Sequence, residues 1–572
     1  MQATSSANVT MKTPTDWHST NWKKVYRLVN NLKRRIFRAA KEGNLKKVRS
    51  LQKLMLRSYS NALAAVRRVT QLNQGKKTPG VDKKVALKPE QRAELVQQLL
   101  SHEPWKVLPV RRIYIPKANG KQRPLGILVI KDRAMQAIVL NALEPYWESK
   151  FEGSSYGFRP GRSCHDAIEA CYNSARSDSR QKKKWVLDAD IKGAFDNICH
   201  EHLMSQLKGF PGRELIRSWL KAGVVENLGK YHRLGEYTPT EQGTPQGGVA
   251  SPILANIALH GMEEALGIRY RFRQDRQTFE LLSNRALVKY ADDFVVFCET
   301  KEDAEEVKKI LAEWLATRGL MFSENKTSIR HLKDGFDFLG FNIRHYPVKD
   351  RRSGYKLLIK PSKKSITTHK NRLKAEWRKL VGQNINTVLR VLNPIIRGWC
   401  NYFKPAVSAE EFDSLEYYLH IRGKRWVYRS HRNKSRAWIT RRYYAKFKKG
   451  SDKTRFGDTK TGLYLLYHSD FQIERHIPVK GNYSPLDPNL RGYWEARQLV
   501  KQGKLSHDKA RLAERQEWKC PVCRQSLLNG EELHKHHKIL RSQGGKDTND
   551  NLVVLHLVCH QNVHLGNGTK QL

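Results

Sequence analysis

Two apolar, strand-like segments of the chain carry carboxylates where their strands end. In the first, KWVLDADIKGAFDNI (residues 184–198), Asp188 and Asp190 close an apolar run. In the second, ALVKYADDFVVFC (residues 286–298), two β-prone runs flank Asp292 and Asp293, which predicts a hairpin with acids at its tip. Adjacent carboxylates in an apolar setting repel each other and resist desolvation. They are therefore either solvent-exposed turn residues or ligands of a divalent cation.

The repetition of this pattern favours the metal interpretation. Three carboxylates from two strand ends can hold two Mg²⁺ ions about 4 Å apart. Such a pair of ions stabilises both the attacking and the leaving oxygen of an in-line phosphoryl displacement. Strand-like runs alternate with helical patterns from about residue 108 to residue 341, which is typical of an α+β domain.

The charge of the chain indicates a polyanionic partner. Its 572 residues carry a formal net charge of +50, and nucleic acid is the commonest partner of so basic a protein. Residues 351–450 hold 26 Lys and Arg against 5 Asp and Glu, a net +21. Six aromatic residues interleave with the basic ones in the last part of this region, which predicts phosphate contacts alternating with stacking on bases or sugars. A solvated helix face is the alternative. The aromatic residues are Trp426, Tyr428, Trp438, Tyr443, Tyr444 and Phe447.

The length and composition exclude several classes of protein. The length implies several domains. The sequence contains no run of 18 apolar residues, so it predicts no membrane span. The first residues lack the apolar core of a secretory signal. Eight cysteines are too few for a disulfide framework, so we expect a reducing cytoplasm.

The last 55 residues or so are rich in histidine and cysteine. Cys520 and Cys523 have zinc-knuckle spacing, and His556 with Cys559 supplies a second pair with the same gap. Together they predict a tetrahedral zinc site. A purely structural zinc finger would need no further histidines. This segment has more, together with an asparagine: His536, His537, Asn551, His560 and His564.

Several ordered motifs between residues 75 and 341 resemble the palm of a reverse transcriptase of the group II intron kind. This resemblance implies a right-hand polymerase, with fingers and palm built from an antiparallel sheet and helices. The motifs are IPKANGKQRPLGI (115–127), SSYGFRPGRSCHDAI (154–168), DIKGAFD (190–196), QGTPQGG (242–248), YADD (290–293), ENKTSI (324–329) and FDFLGF (336–341).

The resemblance implies a role for each motif residue. Asp190, Asp292 and Asp293 would be the metal-binding catalytic acids of an RNA-directed DNA polymerase. Five further residues would bind the incoming dNTP: Lys117, Arg123, Phe195, Gln246 and Lys326. Lys117 and Arg123 would clamp the triphosphate, and Phe195 would block a ribose 2′-hydroxyl. Ordinary surface cations and a core aromatic are the alternatives for these three, and a purely structural role is the alternative for Lys326.

The basic region after the palm resembles the thumb and maturase segment, called domain X, of the same family. The resemblance rests on LNPIIRGWCNYF (residues 392–403), where we expect Pro394 to interrupt the helical pattern. It implies that the protein binds its own intron RNA. The residues expected to contact RNA are Arg397, Trp399, Arg422, Lys424, Arg425, Arg429, Arg441 and Arg442.

The histidine-rich end resembles the HNH nuclease motif. In that motif His536, His560 and His564 would bind one divalent metal, with Mg²⁺ expected, and His537 would be the general base that activates water. Asn551 would tie the loop that positions His537. His534 stands where the family usually has an acidic residue, so the choice of metal stays open.

The sequence therefore predicts a multidomain α+β protein with three activities: reverse transcription, maturase binding of intron RNA, and nicking of target DNA for target-primed reverse transcription. The expected partners are intron RNA, target DNA and dNTPs, with no membrane, in a bacterial cytoplasm. Two alternatives are a splicing cofactor that has lost polymerisation and a reverse transcriptase of another bacterial system. The expected domains are a basic helical extension (1–74), fingers and palm (75–345), a helical thumb and domain X (346–450), a DNA-binding region assigned by position (451–515), and a small zinc-bound ββα-metal HNH domain (516–572).

Overall fold

The chain forms two compact units in a computed structural model. The first comprises Met1–Leu332 with Pro478–Arg491, and the second comprises Lys333–Ile477 with Gly492–Leu572. No helix of the described part of the chain is long and apolar enough to cross a membrane. The structure describes residues 16–101, 103–116, 120, 122–176, 182–226, 236–275, 278–349, 353–447, 452–502, 505–528, 533–557, 559–560 and 563.

The first unit begins with four helices: α1 (Trp22–Lys41), α2 (Leu45–Leu56), α3 (Tyr59–Arg67) and α4 (Pro89–Leu100). The helical spacing of Val48, Leu51, Met55 and Ala62 predicts one helix through these four residues. The chain instead breaks at Ser58, whose side chain accepts a hydrogen bond from the Asn61 backbone N–H and so caps α3. The same spacing predicts an amphipathic helix near the start of the chain, with an apolar face of Val25, Leu28, Val29, Leu32 and Ile36. Helix α1 buries these residues except Leu28, which is 46% exposed.

The fingers and palm region alternates helices with strands. Its helices are α5 (Ile130–Glu148), α6 (Cys164–Ala175), α7 (Ala194–Asn197), α8 (His200–Gln206), α9 (Arg213–Leu220), α10 (Ser251–Ala258), α11 (Met262–Ala265) and α12 (Lys301–Ala316). Its strands are β1 (Val110–Pro116), β2 (Gln122–Ile127), β3 (Trp185–Asp190), β4 (Val224–Val225), β5 (Tyr237–Thr238), β6 (Tyr270–Arg273), β7 (Thr278–Leu281), β8 (Ala286–Tyr290), β9 (Asp293–Cys298) and β10 (Ser328–His331).

A four-stranded antiparallel sheet in the order β10-β3-β9-β8 forms the centre of this unit. Leu187 of β3 and Val296 of β9 face each other in the register, and both are buried in the core. Strands buried in this way have continuous apolar sequences, so their polar residues occur at the strand ends. A second sheet, in the order β2-β1-β4-β5, includes Arg123 on β2.

A short segment late in the chain, Pro478–Arg491, belongs to the first unit. The Val479 backbone N–H donates to Asp166 Oδ1 over 2.8 Å, and Lys41 Nζ lies 2.8 Å from Asp487 Oδ2. The region 451–515, predicted as one DNA-binding region, is thus divided between the two units. Its DNA-binding role stays a prediction.

The second unit combines small sheets with long helices. Its strands are β11 (Phe336–Phe338), β12 (Phe341–Pro347), β13 (Tyr355–Pro361), β14 (Tyr444–Ala445), β15 (Arg455–Asp458), β16 (Leu463–Tyr464), β17 (Leu533–His537) and β18 (Leu552–His556). Its helices are α13 (Lys363–Lys379), α14 (Ile385–Phe403), α15 (Ala409–Ser430), α16 (Arg436–Tyr443), α17 (Arg491–Gln502, which begins at the end of the first unit) and α18 (His507–Arg515).

Helix α14 runs through Pro394 without a break, so the interruption expected there is wrong. A proline inside a helix costs about 3 kcal/mol because a backbone hydrogen bond is lost. Packing offsets this cost, since Leu392, Ile396 and Cys400 bury one face of the helix while Pro394 is exposed.

Aromatic residues of the basic region form part of the core of the second unit. Trp426 and Tyr443 are buried, and their rings lie 5.9 Å and 6.2 Å from the ring of Phe456. For these two residues the expected stacking on nucleic acid is wrong, because their faces are covered by protein. Tyr428 is 45% exposed and keeps an accessible ring.

Candidate functional site

Three acids meet at one end of the central sheet. Asp190, the last residue of β3, is the register partner of Asp293, the first residue of β9. Asp292 lies in the turn between β8 and β9, next to Ala291, whose φ of +59° is in the left-handed region. This tight turn brings the two adjacent acids beside the end of β3.

Gly157 makes room for that turn. The Tyr156 backbone N–H donates to the Lys289 carbonyl over 2.8 Å, so this segment runs alongside β8. A Cβ atom on Gly157 would lie 2.3 Å from the Ala291 backbone nitrogen. Only glycine permits so close an approach. The glycine in SSYGF was the sequence signal for this contact, although the contact itself was not predicted.

Burial and repulsion between neighbouring carboxylates raise the pKa of Asp292 and Asp293. Burial raises the pKa of Asp292, and the Asp190 carboxylate adds to the rise while Arg123 opposes it. Burial and the neighbouring Asp292 raise the pKa of Asp293 to about 7. Carboxylates held together in this way are suited to bind a hard divalent cation, which offsets their repulsion.

Lys326 is held beside the acids by the loop before β10, which contacts the end of β3. The Ser323 backbone N–H donates to the Asp190 carbonyl over 2.8 Å, and Lys326 Nζ donates to Asp190 Oδ2, also over 2.8 Å. This hydrogen bond raises the pKa of Lys326. The Lys326 side chain is 64% exposed, so it can leave Asp190 for another anion at low cost.

The glycine-rich loop at 242–248 packs against the segment after β3. Gly243 has a φ of +83°, and a Cβ atom there would lie 2.4 Å from the Asp196 carbonyl oxygen. Gln246 Nε2 approaches Asp196 Oδ2 at 3.4 Å. The Gly126 backbone N–H donates to the Gln246 carbonyl over 2.6 Å, which joins this loop to β2.

The remaining residues expected to bind the nucleotide are placed as follows. Phe195 is half-buried, and its ring lies edge-on to Phe158 with centroids 6.2 Å apart. Arg123 is exposed on β2. Lys117 lies outside the described residues.

A basic groove lies between α13 and α15. It encloses a cavity of about 280 Å³ whose floor includes Trp377 and Trp426. Five cations and no carboxylate line it, and three of them are among the residues expected to contact RNA. The cations are Lys374, Arg378, Arg422, Arg425 and Arg429.

The other residues expected to contact RNA differ in exposure. Lys424 and Arg441 are exposed, whereas Arg442 forms an ion pair with the buried carboxylate of Asp458. Trp399 stacks on His369 with ring centroids 4.7 Å apart. Arg397 is buried at 2% exposure, so the RNA contact expected of it is wrong.

Cys520, Cys523, His556 and Cys559 form a compact cluster. Each offers one ligand atom, and these atoms all lie within 4.8 Å of one another. His556 Nε2 lies 3.1 Å from the Ser526 carbonyl, so this nitrogen carries the proton and Nδ1 faces the sulfurs. Three thiols and one imidazole nitrogen match the ligand set of a tetrahedral zinc site.

The remaining histidines lie around the hairpin of β17 and β18. His537 Nε2 lies 2.5 Å from Asp547 Oδ1, a partner that the motif analysis missed. His536 is buried, and the His560 ring lies 5.3 Å from it. The His534 ring also lies 5.3 Å from that of His560. His564 lies outside the described residues.

Asn551 joins the two sides of the loop after His537. Its Oδ1 accepts from the Ile539 backbone N–H over 2.8 Å. Its Nδ2 donates to the carbonyls of Ile539 and Lys546 over 3.0 Å and 2.9 Å. The same loop contains Asp547, so the hydrogen bonds of Asn551 stabilise the segment that contacts His537.

Four family matches agree with this arrangement. Reverse transcriptase (RNA-dependent DNA polymerase) matches residues 115–343, and the N-terminal domain of reverse transcriptase matches residues 17–99. The group II intron maturase-specific domain matches residues 366–444, and HNH endonuclease matches residues 520–565.

Individual proteins resemble the chain over part of their length. Protein YkfC of Escherichia coli (strain K12) is 35% identical over 49% of this chain and 80% of that protein. Group II intron-encoded protein LtrA of Lactococcus lactis subsp. cremoris is 30% identical over 58% of this chain and 66% of that protein. The structure of telomerase from Candida albicans with a fragment of telomeric RNA is 15% identical, with a TM-score of 0.32, over 57% of this chain and 59% of that one.

The family match over residues 115–343 places the chain in the reverse transcriptase class. Within that class, the chain belongs to the group II intron-encoded reverse transcriptases and maturases that carry an HNH endonuclease domain. The resemblance drawn from the sequence motifs and the multidomain α+β fold are confirmed.

Proposed function

We propose that the protein copies RNA into DNA at Asp190, Asp292 and Asp293, with two Mg²⁺ ions. The convergence of these three carboxylates at one end of the central sheet is the observation that carries the proposal. Bound ions would stabilise the charge on the attacking 3′-oxygen and on the leaving pyrophosphate. Asp190, Asp292 and Asp293 would hold the ions, which would supply the positive charge that orients the reacting phosphate.

The surrounding residues would select and orient the nucleotide. Arg123 and Lys117 would neutralise the triphosphate, and Lys326 would move from Asp190 towards the anionic nucleotide. Phe195 would exclude a 2′-hydroxyl by its bulk. Gln246 would lie along the nucleotide, since its loop contacts both β2 and the segment after β3.

The second unit would bind intron RNA and promote its splicing. The groove lined by Arg422, Arg425 and Arg429 supports this role, because five cations without a carboxylate form a site for backbone phosphate. Lys424, Arg441 and the partly exposed Arg442 and Trp399 would extend the surface. A folded intron presents many phosphates to such a surface.

The HNH domain would nick target DNA and expose a 3′-hydroxyl primer. Cys520, Cys523, His556 and Cys559 would hold a structural zinc ion. His537 would act as the general base. His536, His560 and His564 would hold the second metal, for which we propose Mg²⁺, and Asn551 would fix the loop at His537.

Together these activities amount to target-primed reverse transcription during intron insertion. We retain the domain boundaries at residues 74, 345, 450 and 515 as proposals. No described cysteine forms a disulfide, which suits a reducing compartment, and we propose the bacterial cytoplasm as the place of action.

Primer extension on an RNA template with Mg²⁺ tests the polymerase. The full chain should extend a DNA primer, and Asp292→Ala should reduce the rate at least about 1,000-fold. Asp188→Asn is the matched control, since Asp188 lies two residues before Asp190 on the same strand and should keep most activity. Equal activity of the parent and Asp292→Ala would refute the polymerase and favour a splicing cofactor.

A further inference from the structure

Arg397 connects the maturase helix α14 with the cysteine cluster of the HNH domain. Its Nη1 lies 3.7 Å from Cys523 Sγ and 3.8 Å from Cys559 Sγ. All three residues belong to the second unit. Distances of this length between nitrogen and sulfur fit N–H···S hydrogen bonds to two ligands of one metal site.

The net charge of the zinc-loaded cysteine cluster explains why the Arg397 guanidinium lies beside it. Three thiolates and one neutral imidazole around Zn²⁺ carry a net charge of −1. A charge in a buried place is costly unless an opposite charge pairs with it. Arg397 is itself almost fully buried, and a guanidinium stays protonated in proteins. The loaded cluster and Arg397 therefore neutralise each other.

Helix α14 holds Arg397 in place from the maturase side. Asn393 lies four residues earlier, on the same helix face, and its Nδ2 donates to the Tyr464 carbonyl over 3.0 Å. Its Oδ1 accepts from the Leu466 backbone N–H over 2.9 Å. The helix face that presents Arg397 is thus anchored to β16 and to the residues that follow it, which lie in the region 451–515.

We propose that Arg397 is a positioning residue that docks the metal-loaded HNH domain onto helix α14. The inference rests on the proposed zinc site. A bound zinc ion would hold Cys523 and Cys559 in one site, so removal of the ion would loosen both sulfur contacts of Arg397. Zinc loading and attachment of the nuclease to the maturase segment are therefore linked, and each strengthens the other.

Zinc retention by the full chain provides the first test. A chromophoric zinc chelator is titrated against zinc-loaded parent, Arg397→Met, Arg397→Lys and the control Arg390→Met, which changes an exposed arginine of the same helix. Loss of an outer-shell partner weakens metal binding about 10- to 100-fold. We expect that loss in Arg397→Met, a partial recovery in Arg397→Lys, and no change in Arg390→Met.

Limited trypsin digestion, followed by mass spectrometry of the C-terminal fragment, provides the second test. Removal of zinc from the parent with a chelator should speed release of this fragment about tenfold or more. This size is taken from the loss of zinc affinity expected when an outer-shell partner is removed. Arg397→Met should show the same fast release at a zinc concentration that keeps its site filled. Circular dichroism checks that each variant is folded. If Arg397→Met does not fold, Arg397→Lys and chelation of the parent carry the test.

The outcomes separate this inference from the zinc site itself. A parent that binds no zinc refutes the proposed zinc site. The docking role of Arg397 alone is overturned if the parent binds one zinc ion but three results show no change. These are zinc retention in Arg397→Met or Arg397→Lys, digestion of the same variant, and digestion of the parent after chelation.

Discussion

Asp190 and Asp293 are direct register partners on neighbouring antiparallel strands. Burial, the adjacent Asp292 and the Asp190 carboxyl group raise the pKa of Asp293 to about 7. Below that pH, Asp293 keeps a proton in the folded protein. A divalent cation would take the place of the proton, so metal binding and pH are linked at this pair.

The metal-free protein should lose stability as pH rises from about 4 to about 7. The pKa of Asp293 is raised in the folded state above about 3.9 in the unfolded chain, so the folded state binds more protons in that interval. Mg²⁺ binds the deprotonated form and should raise Tm more at pH 8 than at pH 6. Thermal unfolding with chelator and with Mg²⁺ measures both effects.

Asp293→Asn serves as the reference for this prediction, because other groups titrate in the same range. The amide cannot ionise, so the variant should show a smaller fall of Tm with pH than the parent. Identical pH profiles of parent and variant, both without metal, would contradict the assigned proton.

Replacing Lys326 should weaken nucleotide binding. Lys326→Met removes the 2.8 Å hydrogen bond to Asp190 and the cation available to the triphosphate. We expect the KM for dNTP to rise about tenfold, which corresponds to one charge-assisted hydrogen bond. Lys308→Met is the control, because Lys308 pairs with Glu324 at 3.7 Å on the surface. A rise in KM of equal size in both variants would argue against a specific role.

The strand pattern was predictable because carboxylates interrupt otherwise apolar runs. The hairpin of β8 and β9 with its acids follows from that contrast alone. The partners Gly157 and Asp547 were not predictable from their own neighbourhoods. Gly157 approaches Ala291 across more than 130 residues, and Asp547 reaches His537 only through the fold of its loop.

The basic region shows the limit of composition as a guide. Arginines and aromatics look alike in sequence whether they face solvent or protein, and packing decides between the two. Arg397 and Trp426 are buried by their helix faces, whereas Arg425 and Arg429 on the same helix as Trp426 stay exposed. The helix break expected at Pro394 was wrong for a related reason. The stability that α14 gains by burying one face outweighs the cost of a proline inside the helix.

Phe195 should govern the choice between deoxyribose and ribose. Phe195→Ala removes the bulk that we propose blocks a 2′-hydroxyl, so the preference for dNTP over rNTP should fall about 10- to 100-fold. The ratio of kcat/KM for the two nucleotides measures it. Phe272→Ala, which truncates an exposed ring on β6, should leave the ratio unchanged. An unaltered ratio in Phe195→Ala would assign Phe195 to packing against Phe158.

The basic groove should account for part of the salt dependence of RNA binding. The double variant Arg425→Gln with Arg429→Gln removes two cations of the groove, and each lost phosphate contact lowers the slope of log K against log salt by about 0.7 to 0.9. Filter binding of intron RNA at several salt concentrations measures the slope. The control changes Arg217 and Arg273 to Gln, since both already pair with glutamates. Equal slopes in the two double variants would show that only net charge matters.

Asp547 should support the nuclease through His537. His537→Ala should reduce nicking of target DNA by about 100- to 10,000-fold, the usual contribution of a general base. Asp547→Asn keeps the size of the side chain but weakens the 2.5 Å contact with His537 Nε2, so it should give a smaller loss of about tenfold.

Asp550→Asn is the matched control for the nuclease, because Asp550 lies on the same loop but pairs with Arg515 instead. Nicking is followed on labelled target DNA with the ribonucleoprotein, and zinc content is measured in parallel to show that the Cys and His cluster is intact. Full nicking activity in His537→Ala would refute the general base. Equal losses in Asp547→Asn and Asp550→Asn would show that the loop depends on its charge rather than on the pairing of Asp547 with His537.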